Sequence, residues 1–151
     1  MEKSSRELVA ELVHRYADAV VHRDGQQWGS CWAEDSRWIL GPDRDVTGRE
    51  AIVALWYKAM GNMEAVVQNV MNGEVQFAGD DSNGDATASG RWYIMEHFRR
   101  VNGENGILLA HYEDTFVRRN GTWLFASRML VPHYQGAPDL SATFHNTGPL
   151  R

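Results

Sequence analysis

The segment HYEDTFVRRNGTWLFASRML, residues 111–130, holds the residues whose types and spacing best suit chemistry. Its pattern predicts two strands around a turn. Arg128 lies in the second strand, where nearly every neighbour is apolar or small. Such an arginine must point to water or be held inside the protein by a carboxylate, and Glu113 and Asp114 are the candidates. Held inside, Arg128 could stabilise a developing phenolate, enolate or leaving hydroxyl, or it could form a purely structural ion pair.

The register of this hairpin decides between the two carboxylates. A two-residue Asn120-Gly121 turn places Glu113 opposite Arg128. A three-residue turn that starts one residue earlier, with a glycine bulge, places Tyr112 opposite Arg128 and makes Asp114 its diagonal neighbour. The strand pattern by itself leaves both registers open.

The elements that must position these residues are predicted from periodicity. Apolar residues recur at helical spacing from residue 4 to about residue 23, with Ser4 or Ser5 as the N-cap. A short second helix is expected at 26–32 and a third at 49–63, separated by a strand pair within 36–48. Four long strands follow at 65–79, 85–100, 106–119 and 122–134, and then an irregular tail over about 135–151. This order predicts an α+β fold, with helices on one face of a curved antiparallel sheet.

Composition excludes several classes of function. The 151 residues carry a net charge of −5, which argues against a nucleic-acid partner. No apolar run is long enough to cross a membrane and no signal segment appears, so we expect a cytoplasmic protein without a membrane partner. The single cysteine, Cys31, excludes an intramolecular disulfide and a cysteine-based zinc site, and it is expected to be a buried small hydrophobe. The histidines lack metal-ligand spacing, so no metal is expected. No glycine-rich nucleotide or phosphate motif appears either, so no nucleotide cofactor is expected.

Aromatic residues are unusually frequent, and they suit either a core or the wall of a cavity for a flat ligand. Six of the 151 residues are tryptophan. These are Trp28, Trp32, Trp38, Trp56, Trp92 and Trp123.

Four stretches carry a family resemblance: RYADAVVHRDGQQWGSCWAEDSRW (15–38), VTGREAIVALW (46–56), YEDTFVRRNGTWLFASR (112–128) and the asparagine of VVQNVMN. With the order of the elements, they resemble the SnoaL-like branch of the nuclear transport factor 2-like superfamily. The resemblance covers nearly the whole chain and implies a single domain over residues 1–151. It implies a cone, meaning a bent sheet and about three helices that enclose one deep pocket, a cystatin-like α+β barrel. Because this fold hosts many activities, the fold alone does not imply one.

Relatives such as scytalone dehydratase, hexachlorocyclohexane dehydrochlorinase and bile-acid dehydratase use an Asp–His pair to remove a proton, without a metal or organic cofactor. The resemblance puts the aspartate's place at Val21 and the histidine's place at Gln68. Neither residue can move a proton. Either activity has been lost or a different base does the work.

The resemblance also implies the inner face of the cone. It favours the second hairpin register, which turns Tyr112, Asp114 and Arg128 inward. On the strand at 85–100 it turns inward the small residues at 86, 88 and 90, which would leave room for a ligand, together with Trp92 as a stacking wall. Glu96 on the same face would be a carboxylate near the pocket, or else a solvated charge at a strand end.

These inferences give a set of candidate site residues. The expected acid–base and anion-stabilising residues are Arg128, Asp114, Tyr16, Glu96 and His133, the last at the mouth of the cone. The expected substrate-binding residues are Gln68, Asn72, Trp38, Trp92, Tyr112 and Met60.

The predicted activity is that of a cofactor-independent lyase for a hydrophobic, aromatic small molecule, either lignin-derived or polyketide-like. Proton abstraction or retro-aldol cleavage would release water or formaldehyde, as in the lignin-dimer formaldehyde lyases that share this fold. A non-catalytic binding or accessory module is the alternative, because Val21 and Gln68 are what a degraded site would contain. An isomerase or epoxide hydrolase is a third possibility, with Asp18 as the only second aspartate available on helix 1. The family resemblance further implies a homodimer or homotrimer.

Overall fold

The computed structural model describes residues 1–78 and 86–151, which form three helices and six strands. The helices are α1 (Ser5–His22), α2 (Gly25–Ser30) and α3 (Arg49–Gly61). The strands are β1 (Trp32–Gly41), β2 (Arg44–Thr47), β3 (Met63–Ala78), β4 (Thr87–Arg100), β5 (Asn105–Arg119) and β6 (Thr122–Gly136). The predicted elements are therefore confirmed, although the strand ends expected at Gly79 and Asp85 lie outside the described residues. No helix in the described part of the chain is long and apolar enough to cross a membrane.

Helix α1 begins at a capping box. The Ser4 side chain accepts a hydrogen bond from the Glu7 amide, and the Glu7 carboxylate accepts one from the Ser4 amide. These bonds satisfy amide groups that the first turn leaves unpaired. The helix ends at Arg23, whose φ of 59° is left-handed. Its buried stripe, which includes Val13, Tyr16 and Val20, covers the inner face of the sheet.

The six strands form one sheet in the order β2-β1-β6-β5-β4-β3. The long strands β3 to β6 pair antiparallel, as predicted, whereas β1 lies parallel to β6. The end strands β2 and β3 are not paired with each other within the described residues. The α+β fold class is confirmed, with an open curved sheet rather than a closed barrel.

A β-bulge sets the register of the β5–β6 hairpin. Asn120 and Gly121 form a two-residue turn with φ of 51° and 76°, so the strands begin in the first of the two expected registers. A shift between Thr115 and Phe116 then adds one residue on β6 and brings Asp114 directly opposite Arg128. Neither expected register holds along the whole hairpin, because the bulge lies between the turn and the arginine.

The core beneath α1 and α2 is aromatic. Trp28 stacks on Trp56, with ring centroids 4.9 Å apart, and Tyr16 packs edge-on against Phe125. Cys31 is fully buried, and burial raises the pKa of its thiol to about 11. It is therefore a small core residue, as predicted, and remains protonated at neutral pH.

The C-terminal tail continues the sheet beside the end of β6. Phe144 forms a bridge with Tyr134 and packs against its ring at 4.9 Å. The His145 amide donates to the His133 carbonyl at 2.7 Å. The tail thus packs through one face of Phe144, although Phe144 and Leu140 are each 46% exposed.

Candidate active site

A cavity of about 250 Å³ lies inside the cone, between α1, α3 and the inner face of the sheet. Its buried wall is mainly apolar and aromatic, and includes Tyr16, Trp38, Trp56, Met60, Leu108 and Tyr112. An apolar pocket with a few convergent polar groups is the usual form of a small-molecule site. The predicted pocket residues Tyr16, Trp38, Met60 and Tyr112 all lie in this wall.

A larger, open groove of about 810 Å³ lies on the outer face of the sheet. Its arginine, Arg91, is already engaged, since it forms an ion pair with Glu113 at 2.9 Å. The cone cavity instead contains a half-buried carboxylate and an unpaired amide oxygen. We therefore regard the cone as the candidate site, although the groove is larger.

The carboxylate is Glu96, which lies directly opposite Gln68 in the β3–β4 register. Gln68 Nε2 donates to Glu96 Oε2 at 2.8 Å, and both residues line the cavity. Burial raises the pKa of Glu96, and the Gln68 hydrogen bond partly opposes that rise. Glu96 is the only acidic residue in the described cavity wall. It is a cavity residue rather than a solvated charge at a strand end.

The second amide atom of Gln68 is unpaired. Gln68 is 6% exposed, and its Oε1 atom accepts no hydrogen bond within the described protein. A buried polar atom without a partner costs about 1–3 kcal/mol. A ligand with a hydroxyl or N–H donor would satisfy it.

Two tyrosines form the floor of the cavity. Burial raises the pKa of Tyr16 well above its ordinary value, and burial raises the pKa of Tyr112 to about 12. Both phenols therefore stay protonated at neutral pH and can donate hydrogen bonds. Their rings meet edge-on, with centroids 6.2 Å apart.

Arg128 lies behind this floor. Its guanidinium carbon is 3.8 Å from the centroid of Tyr112 and 4.4 Å from that of Tyr16. Nε and Nη2 donate to the two carboxylate oxygens of Asp114 at 2.8 and 3.0 Å. Asp114 is thus the partner of Arg128, as the resemblance favoured, and Glu113 faces outward to Arg91.

The Asp114–Arg128 pair is sealed from the cavity. Arg128 is 1% exposed and Asp114 3% exposed, and neither residue lines the cavity wall. Burial raises the pKa of Asp114 to about 6, against the lowering effect of Arg128. The carboxylate is therefore ionised at neutral pH, and the pair holds the aromatic floor in place.

Trp92 fills the opposite end of the cone instead of walling the cavity. Its indole lies over Gly73, where an added Cβ would come within 2.2 Å of the ring. It also meets His14 edge-on and packs next to Gly90. The small residues of β4 therefore make room for core aromatic rings rather than for a ligand.

Two other predicted site residues lie outside the cone. Asn72 is exposed and lines the outer groove, because a bulge between Val70 and Gly73 turns it away from the cavity. His133 also faces outward, with Nε2 2.7 Å from Nδ1 of His111. Asp18 is exposed on α1 and bonds to Gln27, so it supplies no second aspartate to the cavity.

On α1, the cavity is lined by Val20 rather than by the neighbouring Val21. Both are valines, so the helix contributes no proton carrier at either position. Among the described residues, no cluster of three or more His, Cys, Asp or Glu side chains could hold a metal ion.

Sequence reasoning missed the mouth of the cavity. The exposed members of its lining are Arg44, Asn62 and Gln135, and Arg100 is half-buried beside them. Arg44 begins β2 and Arg100 ends β4, so they are far apart in the chain and in the strand order. Only the curvature of the sheet brings Arg44 and Arg100 to one cavity, and no local sequence signal indicates that curvature.

Comparison with known proteins agrees with this fold. A provisionally named scytalone dehydratase from Novosphingobium aromaticivorans has 19% identity and a TM-score of 0.81, over 97% of this chain and 95% of that one. A hexachlorocyclohexane dehydrochlorinase from Novosphingobium barchaimii has 19% identity and a TM-score of 0.78, over 96% and 95%. A provisionally named aromatic ring hydroxylase from N. aromaticivorans has 20% identity and a TM-score of 0.78, over 87% and 91%. These structural similarities show that the fold is shared.

The sequence itself carries the family assignment. No curated protein shows significant similarity to the chain. The profile of the SnoaL-like domain, however, matches residues 1–129, which is most of the molecule. With three helices on a curved open sheet, the chain belongs to the SnoaL-like family of the nuclear transport factor 2-like fold.

Proposed function

We propose that this protein is a lyase that acts on an aromatic small molecule in the cone cavity, with Glu96 as the general base. One observation carries the proposal: Glu96 is a half-buried carboxylate in the cavity wall, and its raised pKa makes it a stronger base than an exposed glutamate. The reaction would need no cofactor.

Glu96 is suitably oriented for this role. Its Oε2 atom is held by Gln68, while Oε1 has no hydrogen-bond partner within the described protein. A carboxylate fixed on one oxygen can present the other to a substrate proton. The base would therefore lie one strand away from the position where relatives carry a histidine.

The chemistry follows from this geometry. Glu96 accepts a proton from a carbon or hydroxyl of the substrate, and the freed electron pair forms a double bond. In a dehydration, the pair from the broken C–H bond forms the double bond while hydroxide leaves the neighbouring carbon and takes the proton from Glu96, which gives water. In a retro-aldol cleavage, the pair from the broken O–H bond forms the carbonyl of formaldehyde, and the electrons of the broken C–C bond form an enolate that takes the proton from Glu96. The hydroxyl of Tyr16 or Tyr112 donates to the oxygen on which negative charge develops.

The aromatic wall indicates the substrate class. Trp38, Trp56 and Tyr112 offer large, flat surfaces around the cavity, which suit a ring or a pair of rings. The unpaired Gln68 Oε1 suits a substrate hydroxyl. A hydroxylated aryl compound, such as a phenolic diaryl alcohol, meets both requirements.

A screen tests the proposal. The purified protein is incubated with phenolic diaryl alcohols and aryl β-hydroxy ketones, and chromatography with mass detection follows the loss of water or formaldehyde. We expect turnover by the wild type that persists with a chelator present. Turnover of equal rate in Glu96→Gln would show that Glu96 is not the base.

A non-catalytic binding module is the second candidate, and Trp92 favours it because it fills one end of the cone. This alternative predicts that an aryl alcohol quenches tryptophan fluorescence on binding and is recovered unchanged. Trp38 and Trp56 lie in the cavity wall and should report such binding. Saturable quenching without product formation would therefore favour a binding protein over a lyase.

A further inference from the structure

The charges around the cone cavity are unevenly distributed. Two arginines, Arg44 and Arg100, lie at its mouth, while the one carboxylate in the described lining, Glu96, lies deep on the inner face. The chain as a whole carries a net charge of −5. An acidic protein thus presents a locally cationic entrance to its cavity.

Arg44 is not paired with a carboxylate in the described structure. Other arginines of the sheet are paired: Arg37 on the neighbouring strand β1 binds Asp45, and Arg119 on β5 binds Asp35 at 2.7 Å. Of the two carboxylates next to Arg44 in the chain, Asp45 is engaged by Arg37 and Asp43 does not line the cavity. The guanidinium of Arg44 is left with solvent and the cavity.

Arg100 is only weakly neutralised. Its salt-bridge partner among the described residues, Glu104, is 3.7 Å away and 61% exposed, and an exposed pair of this kind contributes little. Its guanidinium lies over the ring of Phe98 at 5.0 Å, which favours a defined position. Arg100 therefore offers an oriented positive charge at the mouth.

We propose that the cavity takes an aromatic carboxylate, with its anionic group bound by Arg44 and Arg100 and its aromatic body on the inner wall. This inference rests on the proposed function for what happens at Glu96, and it names the substrate class for that site. Two arginines are suited to a carboxylate, because the planar guanidinium matches its two oxygens. The cationic mouth also attracts an anion that the net charge of the protein would otherwise repel.

The test uses cinnamate and its uncharged counterparts, methyl cinnamate and cinnamamide. Binding to Glu96→Gln is measured by ligand-observed NMR, so that affinity is obtained in the absence of proton transfer by this residue. We expect cinnamate to bind at least about tenfold more tightly than either neutral compound, as one oriented charge pair allows. Added salt should weaken only the binding of cinnamate.

Substitutions then test whether Arg44 and Arg100 bind the carboxylate of the ligand. Arg44→Gln and Arg100→Gln, each in the Glu96→Gln background, should lose most of the preference for cinnamate while keeping the affinity for methyl cinnamate. The matched control is Arg99→Gln, because Arg99 is exposed, bonds Asn105 and does not line the cavity. Equal binding of acid and ester, or an equal loss in the Arg99→Gln control, would overturn the proposal.

The two proposals fail in distinguishable ways. Acid-selective binding without turnover of any aryl acid by the wild type supports the anion site and contradicts the lyase. Turnover of neutral aryl alcohols without acid preference supports the lyase and contradicts the anion site.

Discussion

Gln68 and Glu96 face each other across β3 and β4, joined by a 2.8 Å hydrogen bond at the wall of the cone cavity. Family resemblance puts a histidine base at the position of Gln68. Here the glutamine instead orients a carboxylate on the neighbouring strand. This pair offers a chemical explanation for a SnoaL-like cone that lacks the Asp–His pair.

The pH dependence of turnover should report this pair. Burial raises the pKa of Glu96 above its ordinary value of 4.5, and the Gln68 hydrogen bond lowers it. Because a general base must be deprotonated, kcat/KM should fall as the pH falls through the pKa of Glu96, with a midpoint above pH 4.5. Gln68→Leu removes the lowering effect, so its midpoint should move to higher pH.

The matched control for Gln68→Leu is Asn69→Leu, since Asn69 is the next residue and is exposed outside the cavity. Its pH midpoint should match that of the wild type. A midpoint in Gln68→Leu that stays constant or moves to lower pH would disagree with the assigned hydrogen bond.

The Asp114–Arg128 pair should matter for stability. Asp114→Asn leaves a buried guanidinium without its counter-charge, and we expect the free energy of unfolding to fall by about 3–5 kcal/mol. Replacing both partners, as Asp114→Leu with Arg128→Met, should cost less than the single change. Urea denaturation, monitored by tryptophan fluorescence, measures the free energy of unfolding of the single and the double variant.

The surface pair of Asp35 and Arg119 provides the comparison, because its side chains are 71% and 42% exposed. Asp35→Asn should cost less than about 1 kcal/mol. If Asp114→Asn is as mild as Asp35→Asn, the buried pair does not hold the aromatic floor.

Filling the cavity should abolish binding without unfolding the protein. Leu108 is 7% exposed and lines the cavity, so Leu108→Trp would occupy ligand space. We expect at least about a tenfold loss of affinity for the best substrate of the screen, with a stability cost of about 1–3 kcal/mol. Fluorescence titration and urea denaturation measure the two effects separately.

Leu109→Trp is the control, since Leu109 is half-buried and points to the opposite face of β5. It should bind ligand normally. Normal binding by Leu108→Trp, with weak binding by Leu109→Trp, would contradict the cone cavity as the site and would favour the opposite face of the sheet.

Much of the fold could be predicted because the signals are periodic and local. The apolar stripe of α1 depends on neighbouring residues and is confirmed. The sequence also limited the N-cap to Ser4 or Ser5 and the hairpin turn to two forms, and the structure has the Ser4 cap and the two-residue Asn120-Gly121 turn. The parallel pairing of β1 with β6 could not be predicted, since it joins segments about 90 residues apart and leaves no local mark.

Two β-bulges change the predicted direction or pairing of site residues. One extra residue in β3 turns Asn72 outward, and one in β6 sets Asp114 opposite Arg128. A bulge reverses the alternation of inward and outward side chains for all later residues of the strand. The sequence pattern does not show where a bulge lies. His133 is a different case, because simple alternation with Met129 already places it on the outer face.

The position of Glu96 was found from alternation, but its partner was not. The Gln68–Glu96 bond depends on the register of two strands joined through residues 79–85. Similarly, Trp92 was correctly turned inward, yet its size filled the space that the small residues of β4 leave. Alternation gives the direction of a side chain, whereas the volume around it depends on the packed structure.

The most direct test of the central claim is single-turnover kinetics of Glu96→Gln with the best substrate of the screen, alongside its fluorescence-measured affinity. Glu74→Gln is the matched control, because Glu74 is exposed on the outer face. We predict that Glu96→Gln slows the chemical step by about 10²–10⁴-fold with affinity within a few-fold of wild type, while Glu74→Gln turns over normally. A chemical step of wild-type rate in Glu96→Gln would contradict the account.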